Sequence, residues 1–529
     1  MRLKDFAAAN RRVFLFLSAL AFVAAATPLP RHAAAAPGAA KGAAQSAPVR
    51  QVIEIDVKAP AHPLPHFWEE MFGSGRAILA LRESYQRDLR EVKRITNFEY
   101  IRFHAILHDE AGAYDEDASG KPVYNFSYVD QIYDALLANR VRPFVELSFM
   151  PKKLASDTNA LHPFWYKQNV SPPKDWGKWD GLIEAFTRHL VERYGEDEVA
   201  QWYFEVWNEP NIDFWAGSPK QATYFELYDH TARAIKRVSP RLRVGGPATA
   251  QAAWVDAFLA HTKEANVPVD FASTHVYGND SAEDVFGTHE NIPRTQMVCR
   301  AVKKVHEQIL ASAYPKLPLI WSEYNADYGN HTEVTDSAFM GPYLANTIRQ
   351  CDGLAAVMSY WTFSDVFEEQ GVVKTPFYGG FGLIAERGIP KASFNDFALL
   401  HHLGDARLEI HSDSALVTRR KDGSYAIAVW NLNLPEQPGE PKTMVLHFRN
   451  LPAPARGART ARVTVVDATH GSPLPEWEKL GKPASPAMTQ IEELRKAAAM
   501  PAAKSMPVSG GTLTLTLQPQ ALALVEIGK

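Results

Sequence analysis

The chain has 529 residues, 46% of them apolar, and a formal net charge of −4. That length exceeds one ordinary core and suits a large barrel with a smaller module beside it. The charge balance excludes a nucleic-acid footprint, and after the N-terminus no apolar run is long enough to span a membrane.

Lys4, Arg11 and Arg12 precede the apolar run Val13 to Ala26, and Ala-rich sequence follows, so residues 1–36 read as an export signal. Asn10-Arg11-Arg12-Val13-Phe14-Leu15 resembles the twin-arginine signature, with Arg31 just after the run. A Sec signal with a chance arginine pair is the alternative. Either route takes the mature protein out of the cytoplasm, most simply to a bacterial periplasm, with no membrane anchor once the signal is removed. Residues 37–49 are rich in Ala, Gly, Pro and Ser and read as a disordered lead-in.

Residues 50–64 hold one strand, Val52–Val57, with no helix of its own, and it is expected to join a C-terminal β-module. From residue 65 to 405 strands and helices alternate. Candidate strands are Glu70–Gly73, Tyr100–His104, Pro143–Ser148, Tyr203–Trp207, Arg243–Gly246, Phe271–His275, Leu319–Glu323 and Val357–Thr362. Stretches such as Val129–Asn139, Trp179–Tyr194, Gln221–Val238, Trp254–Ala265, Thr295–Ser312 and Ala338–Arg349 carry apolar residues at helical spacing. Eight strand–helix units predict an α/β fold, a (β/α)8 TIM barrel. Residues 406–529 change to short alternating strands parted by Gly and Asp turns, which predicts an accessory β-sandwich. A Pro/Ala/Lys/Glu-rich insert at about 472–506 interrupts it, with a helix at Met488–Ala498. Cys299 and Cys351 each lie in helix-like sequence with apolar neighbours, which favours two buried thiols over a bridge. No Cys/His spacing resembles a zinc site, and the His104/His108 spacing follows a strand rather than a helix.

The fourth strand, Tyr203-Phe204-Glu205-Val206-Trp207, runs into Asn208-Glu209-Pro210-Asn211, where the proline stops it. Glu209 thus arrives at the C-terminal mouth of the barrel, with Asn208 beside it and Trp207 beneath. The seventh strand delivers a second carboxylate, Glu323, in the same way. Two carboxylates facing each other across a barrel mouth are what glycoside hydrolysis requires. Glu146 and Glu205 sit within strands and suit a polar network inside the barrel. Gly73-Ser74-Gly75 is no phosphate loop, because nothing else of a dinucleotide fingerprint surrounds it.

Over residues 65–405 the sequence closely resembles glycoside hydrolase family 39, the β-xylosidase and α-L-iduronidase family. The likeness rests on Ile101-Arg102-Phe103-His104, Pro143 to Pro151, Trp202 to Asn211, Val244-Gly245-Gly246-Pro247, Ser273-Thr274-His275-Val276-Tyr277, Ser359 to Asp365 and Gly379-Gly380-Phe381-Gly382-Leu383. Phe149-Met150-Pro151 and the block around Trp361 look more like the xylosidase branch. The resemblance implies retaining double displacement without cofactor or metal, with Glu209 as acid/base and Glu323 as nucleophile. It implies substrate contacts from His104, Asn208, His275, Tyr277, Tyr328, Trp361 and Glu369, although Glu368 and Gln370 flank the last and a one-residue offset would change that choice. The expected ligand is a xylo-oligosaccharide. Another glycone (arabinose, galactose or iduronate), endo-cleavage of an exopolysaccharide, and a non-catalytic carbohydrate-binding protein are the alternatives, and oligomeric state stays open.

Overall fold

The computed structural model of the chain describes residues 49–452 and 458–528. The expected export signal and nearly all of the lead-in lie outside the described residues. Eight parallel strands close into a barrel in chain order: β1 (Met71–Arg76), β2 (Tyr100–His104), β3 (Arg142–Leu147), β4 (Tyr203–Val206), β5 (Arg243–Thr249), β6 (Phe271–Tyr277), β7 (Leu319–Asn325) and β8 (Val357–Tyr360). The main helices around it are α1 (Glu83–Ile95), α2 (Ser127–Ala138), α3 (Trp176–Tyr194), α4 (Lys220–Val238), α5 (Val255–Glu264), α6 (Arg294–Ala311), α7 (Met340–Cys351) and α8 (Ala392–His401). The barrel expected from the strand–helix rhythm is therefore present, with β1 and β5 to β7 running past their expected ends. Among the described residues no helix is long and apolar enough to cross a membrane.

The two-residue period of a strand organises the barrel interior. Met71, Phe144, Phe271, Ile320 and Val357 form an apolar plug at the N-terminal end, with Tyr100 and Tyr203 packed against it. Two residues farther along, on the same inner face, stand Arg102, Glu146, Glu205, Ser273 and Ser322, all buried. The alternate residues of β2, Ile101 and Phe103, face outward into the core shared with the helices.

The accessory module consists of two sheets. In one, Val49–Asp56 pairs in parallel with Lys442–Arg449, which pairs antiparallel with Thr512–Leu517. The other has seven strands and holds Tyr425–Trp430 next to Leu522–Ile527. Its insert forms two helices, Leu474–Lys479 and Met488–Ala497, whose Trp477, Ile491 and Leu494 pack on Phe377, Ala385 and Ile389 of the segment after β8.

The cysteines correct an expectation. Cys299 of α6 and Cys351 of α7 form a disulfide, with Cα atoms 5.2 Å apart. Each does sit among apolar neighbours, but α6 and α7 are adjacent helices of the ring, and that adjacency brings the two sulfurs together.

The segment after β8 is anchored by Lys391, whose fully buried Nζ lies 2.6 Å from Asp336 and 2.7 Å from Asp365 and donates to Gly380 O at 2.8 Å. Lys391→Met is expected to lower folding stability by about 3–5 kcal/mol, because two buried carboxylates lose their counter-charge. Urea denaturation would measure the loss.

Candidate active site

Past Val206 the backbone leaves the strand with positive φ at Trp207 (71°) and Glu209 (43°) on either side of Asn208. Non-glycine residues adopt this region only where their surroundings over-determine it. Here Trp207, fully buried, donates from Nε1 to Phe214 O at 2.7 Å, and Glu209 N donates to Ala248 O at 2.7 Å. Asn211 ties the turn to the end of β5 by exchanging hydrogen bonds with Ala250 N and O. The turn aims Glu209 into the barrel mouth.

Glu323 gets there by another device. The register between β6 and β7 shifts at this point: Thr274 pairs with Trp321, but His275 pairs with Glu323. Such an irregularity re-aims side chains. Consecutive residues Ser322 and Glu323 consequently both reach the interior, Ser322 donating to Glu205 at 2.7 Å and Glu323 meeting Arg102 at 2.6 Å.

Arg102 is the hub of the site. Its guanidinium reaches Glu205 through Nε at 2.6 Å, and its two terminal nitrogens reach Glu323 at 2.6 Å, Asn208 Oδ1 at 2.9 Å and Glu146 at 2.8 Å. The Tyr277 hydroxyl donates to the other oxygen of Glu323 at 2.6 Å. Burial, and then the Glu323 charge, push the Tyr277 hydroxyl well above its ordinary pKa, so it keeps its proton. Burial also holds Glu209 well above the carboxylate range, reinforced by the negative charge of Glu323. Glu209 and Glu323 each place a carboxylate oxygen within 4.8 Å of the other and of a His275 ring nitrogen.

The cavity over these groups measures about 610 Å³, and His104, Asn208, Glu209, Tyr277, Glu323, Tyr328, Trp361 and Glu369 all line it. Asn208 spends its carbonyl oxygen on Arg102, and among the described residues its Nδ2 donates to no protein group. His104 bonds Glu146 at 2.7 Å through Nδ1 and turns Nε2 toward Glu369, 3.6 Å away. Trp361 packs beside His104, ring centroids 4.8 Å apart. Tyr328 is 54% exposed at the rim and packs edge-on against Tyr277.

The structure also separates the three neighbours that sequence left ambiguous. Glu368 turns away to Arg82 and Arg76, and Gln370 donates to Asn330 at the rim. Glu369 points inward, its buried Oε1 without a hydrogen-bond partner among the described residues. Burial pushes its carboxyl up to about 8, against the pull of His104.

His275 differs from expectation. It is fully buried and engages protein through both ring nitrogens, so it stands behind Glu209 rather than in the pocket wall. Arg102 and Ser322 have central places that the sequence did not signal. Arg102 was read only as one residue of the Ile101-Arg102-Phe103-His104 block, and Ser322 only as a neighbour of Glu323.

Gly73 explains its own triplet. A Cβ on Gly73 would stand 2.1 Å from the Trp361 ring, so only glycine lets β1 pass beneath that ring. Gly73→Ala is therefore expected to displace Trp361 and cut kcat/KM by roughly 10²-fold. A near-wild-type melting temperature alongside that loss would show that the defect is local.

Comparison with known proteins gives the same direction. Residues 51–512 match the family model described as glycosyl hydrolases family 39. A β-xylosidase of Geobacillus stearothermophilus is 40% identical over 473 residues, covering 87% of this chain and 92% of that protein. A β-xylosidase of Caldicellulosiruptor saccharolyticus is 36% identical over 482 residues, covering 87% and 95%. The crystal structure of a monomeric β-xylosidase from Caulobacter crescentus CB15 superposes with a TM-score of 0.81 at 36% identity, covering 90% of this chain and 99% of that one.

Proposed function

The chain belongs to glycosyl hydrolases family 39 and is a glycoside hydrolase, and on that premise we propose that it is a retaining exo-β-xylosidase acting on xylo-oligosaccharides. The observation that carries the stereochemical half is the approach of the Glu209 and Glu323 oxygens within 4.8 Å. Retaining pairs stand roughly 5–5.5 Å apart, whereas inverting pairs need about 6.5–9.5 Å to seat a water between carboxylate and sugar.

In the first half of the reaction Glu209 gives its proton to the leaving oxygen while Glu323 attacks the anomeric carbon. Two donors, Arg102 and Tyr277, each hold one oxygen of the Glu323 carboxylate and fix its direction. Bond formation cancels the Glu323 charge, and with it the repulsion that helped keep Glu209 protonated. Glu209 then takes a proton from water, which releases the sugar. Asn208 Nδ2 and the neutral carboxyl of Glu369 are placed to bind sugar hydroxyls, with Trp361 as the platform under the ring.

The xylose assignment is supported by the β-xylosidases at 36–40% identity and by the charge of the pocket. Among the described residues Lys374 is the only lysine or arginine of its lining, so the carboxylate of a uronate glycone would find little cationic charge to pair with.

A panel of p-nitrophenyl β-D-xyloside, α-L-arabinopyranoside, β-D-galactoside, β-D-glucoside and α-L-iduronide tests the glycone. The xyloside is expected to give the highest kcat/KM, and NMR of the first-formed sugar is expected to show the β-anomer. Silence across the panel from folded protein would instead favour an endo-acting or binding-only protein. We also infer export, which the disulfide supports because such bonds persist in oxidising compartments. Cell fractionation with and without Arg11→Lys and Arg12→Lys tests the twin-arginine route.

A further inference from the structure

Behind Glu209 runs an unbroken chain of hydrogen bonds that substrate does not touch. His275 places Nδ1 3.0 Å from Glu209 Oε1 and Nε2 3.1 Å from Ser322 Oγ. Ser322 donates to Glu205 Oε1 at 2.7 Å, and the other Glu205 oxygen receives Arg102 Nε at 2.6 Å.

The direction of the bonds is set from the Arg102 end. Burial raises the Glu205 carboxyl, but the always-charged guanidinium pairs with it directly at 2.6 Å and pulls it back toward the carboxylate, and a carboxylate accepts through both oxygens. The Ser322 hydroxyl has one proton and gives it to Glu205, so toward His275 it can only accept. His275 Nε2 therefore carries hydrogen. Burial, followed by the charges of Arg102 and His104, holds the imidazole neutral. A neutral imidazole with hydrogen on Nε2 has a bare lone pair on Nδ1. The Glu209 oxygen facing that lone pair must then be the protonated one.

We propose that His275, oriented by Ser322, Glu205 and Arg102, is a positioning residue that holds the carboxyl proton of Glu209 in the free enzyme and denies Glu209 a donor on that side once the proton has left. This rests on the reading of Glu209 as acid/base. The Glu209 carboxyl turns about its soft terminal torsion to deliver the proton as the leaving oxygen arrives. The resulting carboxylate faces a lone pair instead of an N–H, which makes it the stronger base toward water in the second half. The proton lost to the leaving oxygen is replaced by one from that water, and His275 keeps its Nε2 hydrogen throughout.

The other charged groups act in the same sense with two exceptions, Arg102 at Glu209 and the Glu323 carboxylate at His275 Nδ1. Glu209 is faced by Glu323 from β7, Asp280 from the loop after β6 and Glu369 from the segment after β8, which favour its proton, and by Arg102 from β2, which opposes it. His275 is faced by Arg102, by His104 and by Glu323 Oε1 at 3.7 Å.

Two experiments decide the matter. In the full chain labelled with 15N-histidine, with the His275 signals identified by their loss in His275→Asn, hydrogen is expected on Nε2 and none on Nδ1 at neutral pH. Hydrogen on Nδ1 would overturn the proposal without any variant needing to fold. Ser322→Ala removes the acceptor that fixes Nε2–H and frees His275 to donate from Nδ1, stabilising the Glu209 carboxylate. The alkaline limb of kcat/KM for a xyloside with a poor leaving group is then expected to fall by about one pH unit, while Ser322→Thr keeps the limb in place. A loss of rate in Ser322→Ala that is equal at every pH means a merely structural serine, and sinks the proposal. If Glu209→Gln turns over the same substrate at the wild-type rate, the acid/base reading falls and takes the role of His275 with it, even where the tautomer is as expected.

Discussion

Glu323→Gln is expected to lower kcat/KM for aryl β-D-xylosides by roughly 10⁴-fold or more while leaving the fold and sugar binding in place. The amide has the size of the carboxylate, and its oxygen still accepts from Arg102, which sits 2.6 Å from Glu323 Oε1. Its NH2 group turns toward Tyr277, whose hydroxyl can accept as well as donate. What is lost is the anionic nucleophile, and nothing nearby replaces it. Glu205 and Glu146 are both fully buried and both held by Arg102, so neither reaches the sugar. Calorimetric titration with xylobiose separates binding from turnover in the variant. Turnover at the wild-type rate would remove Glu323 from the mechanism, and loss of binding together with turnover would show that the site had collapsed.

How much of this could be read beforehand differs from residue to residue, and the differences have physical causes. Glu209 and Glu323 stood out because strand sequence ends beside each of them, and the end of a barrel strand is a defined place. The polar interior was legible in part, since Glu146 and Glu205 lie within strands and had to face either helices or the barrel axis. Arg102 was not assigned, because its meaning comes from β3, β4 and β7, which chain spacing does not bring together. The disulfide was missed for the same reason: 52 residues separate two cysteines that sit on neighbouring helices. His275 was placed one layer too far forward. A strand pattern gives the face on which a side chain lies, but not how deep along the barrel axis its ring comes to rest. The segment after β8 has no period at all, so only coordinates could choose Glu369 from Glu368 and Gln370.

Arg102→Met should be the most damaging single substitution in the barrel. One fully buried guanidinium holds three carboxylates, those of Glu146, Glu205 and Glu323. Burial opposes the charge of Arg102, yet the three acids together raise its pKa, so the cluster is stable only as a set. Removing the cation leaves three acids in a medium of low dielectric, and breaking one such buried pair already costs about 3–5 kcal/mol. His104 protects Glu146 to some extent, because its Nδ1 lies 2.7 Å away and its pKa is raised by that neighbour against the effect of burial. Glu205 has only hydroxyl partners left, and Glu323 only Tyr277 and the more distant histidines. The expected result is a soluble protein at best, with its urea midpoint sharply lowered and no measurable xyloside hydrolysis, because Glu323 loses the donor that fixes the direction of its Oε1. The double variant Arg102→Met, Glu205→Gln tests the cause. It deletes one of the stranded charges, so it should recover part of the lost stability and none of the activity. Recovery of both would mean that Arg102 serves the fold alone, and that Tyr277 suffices to hold the Glu323 carboxylate in place.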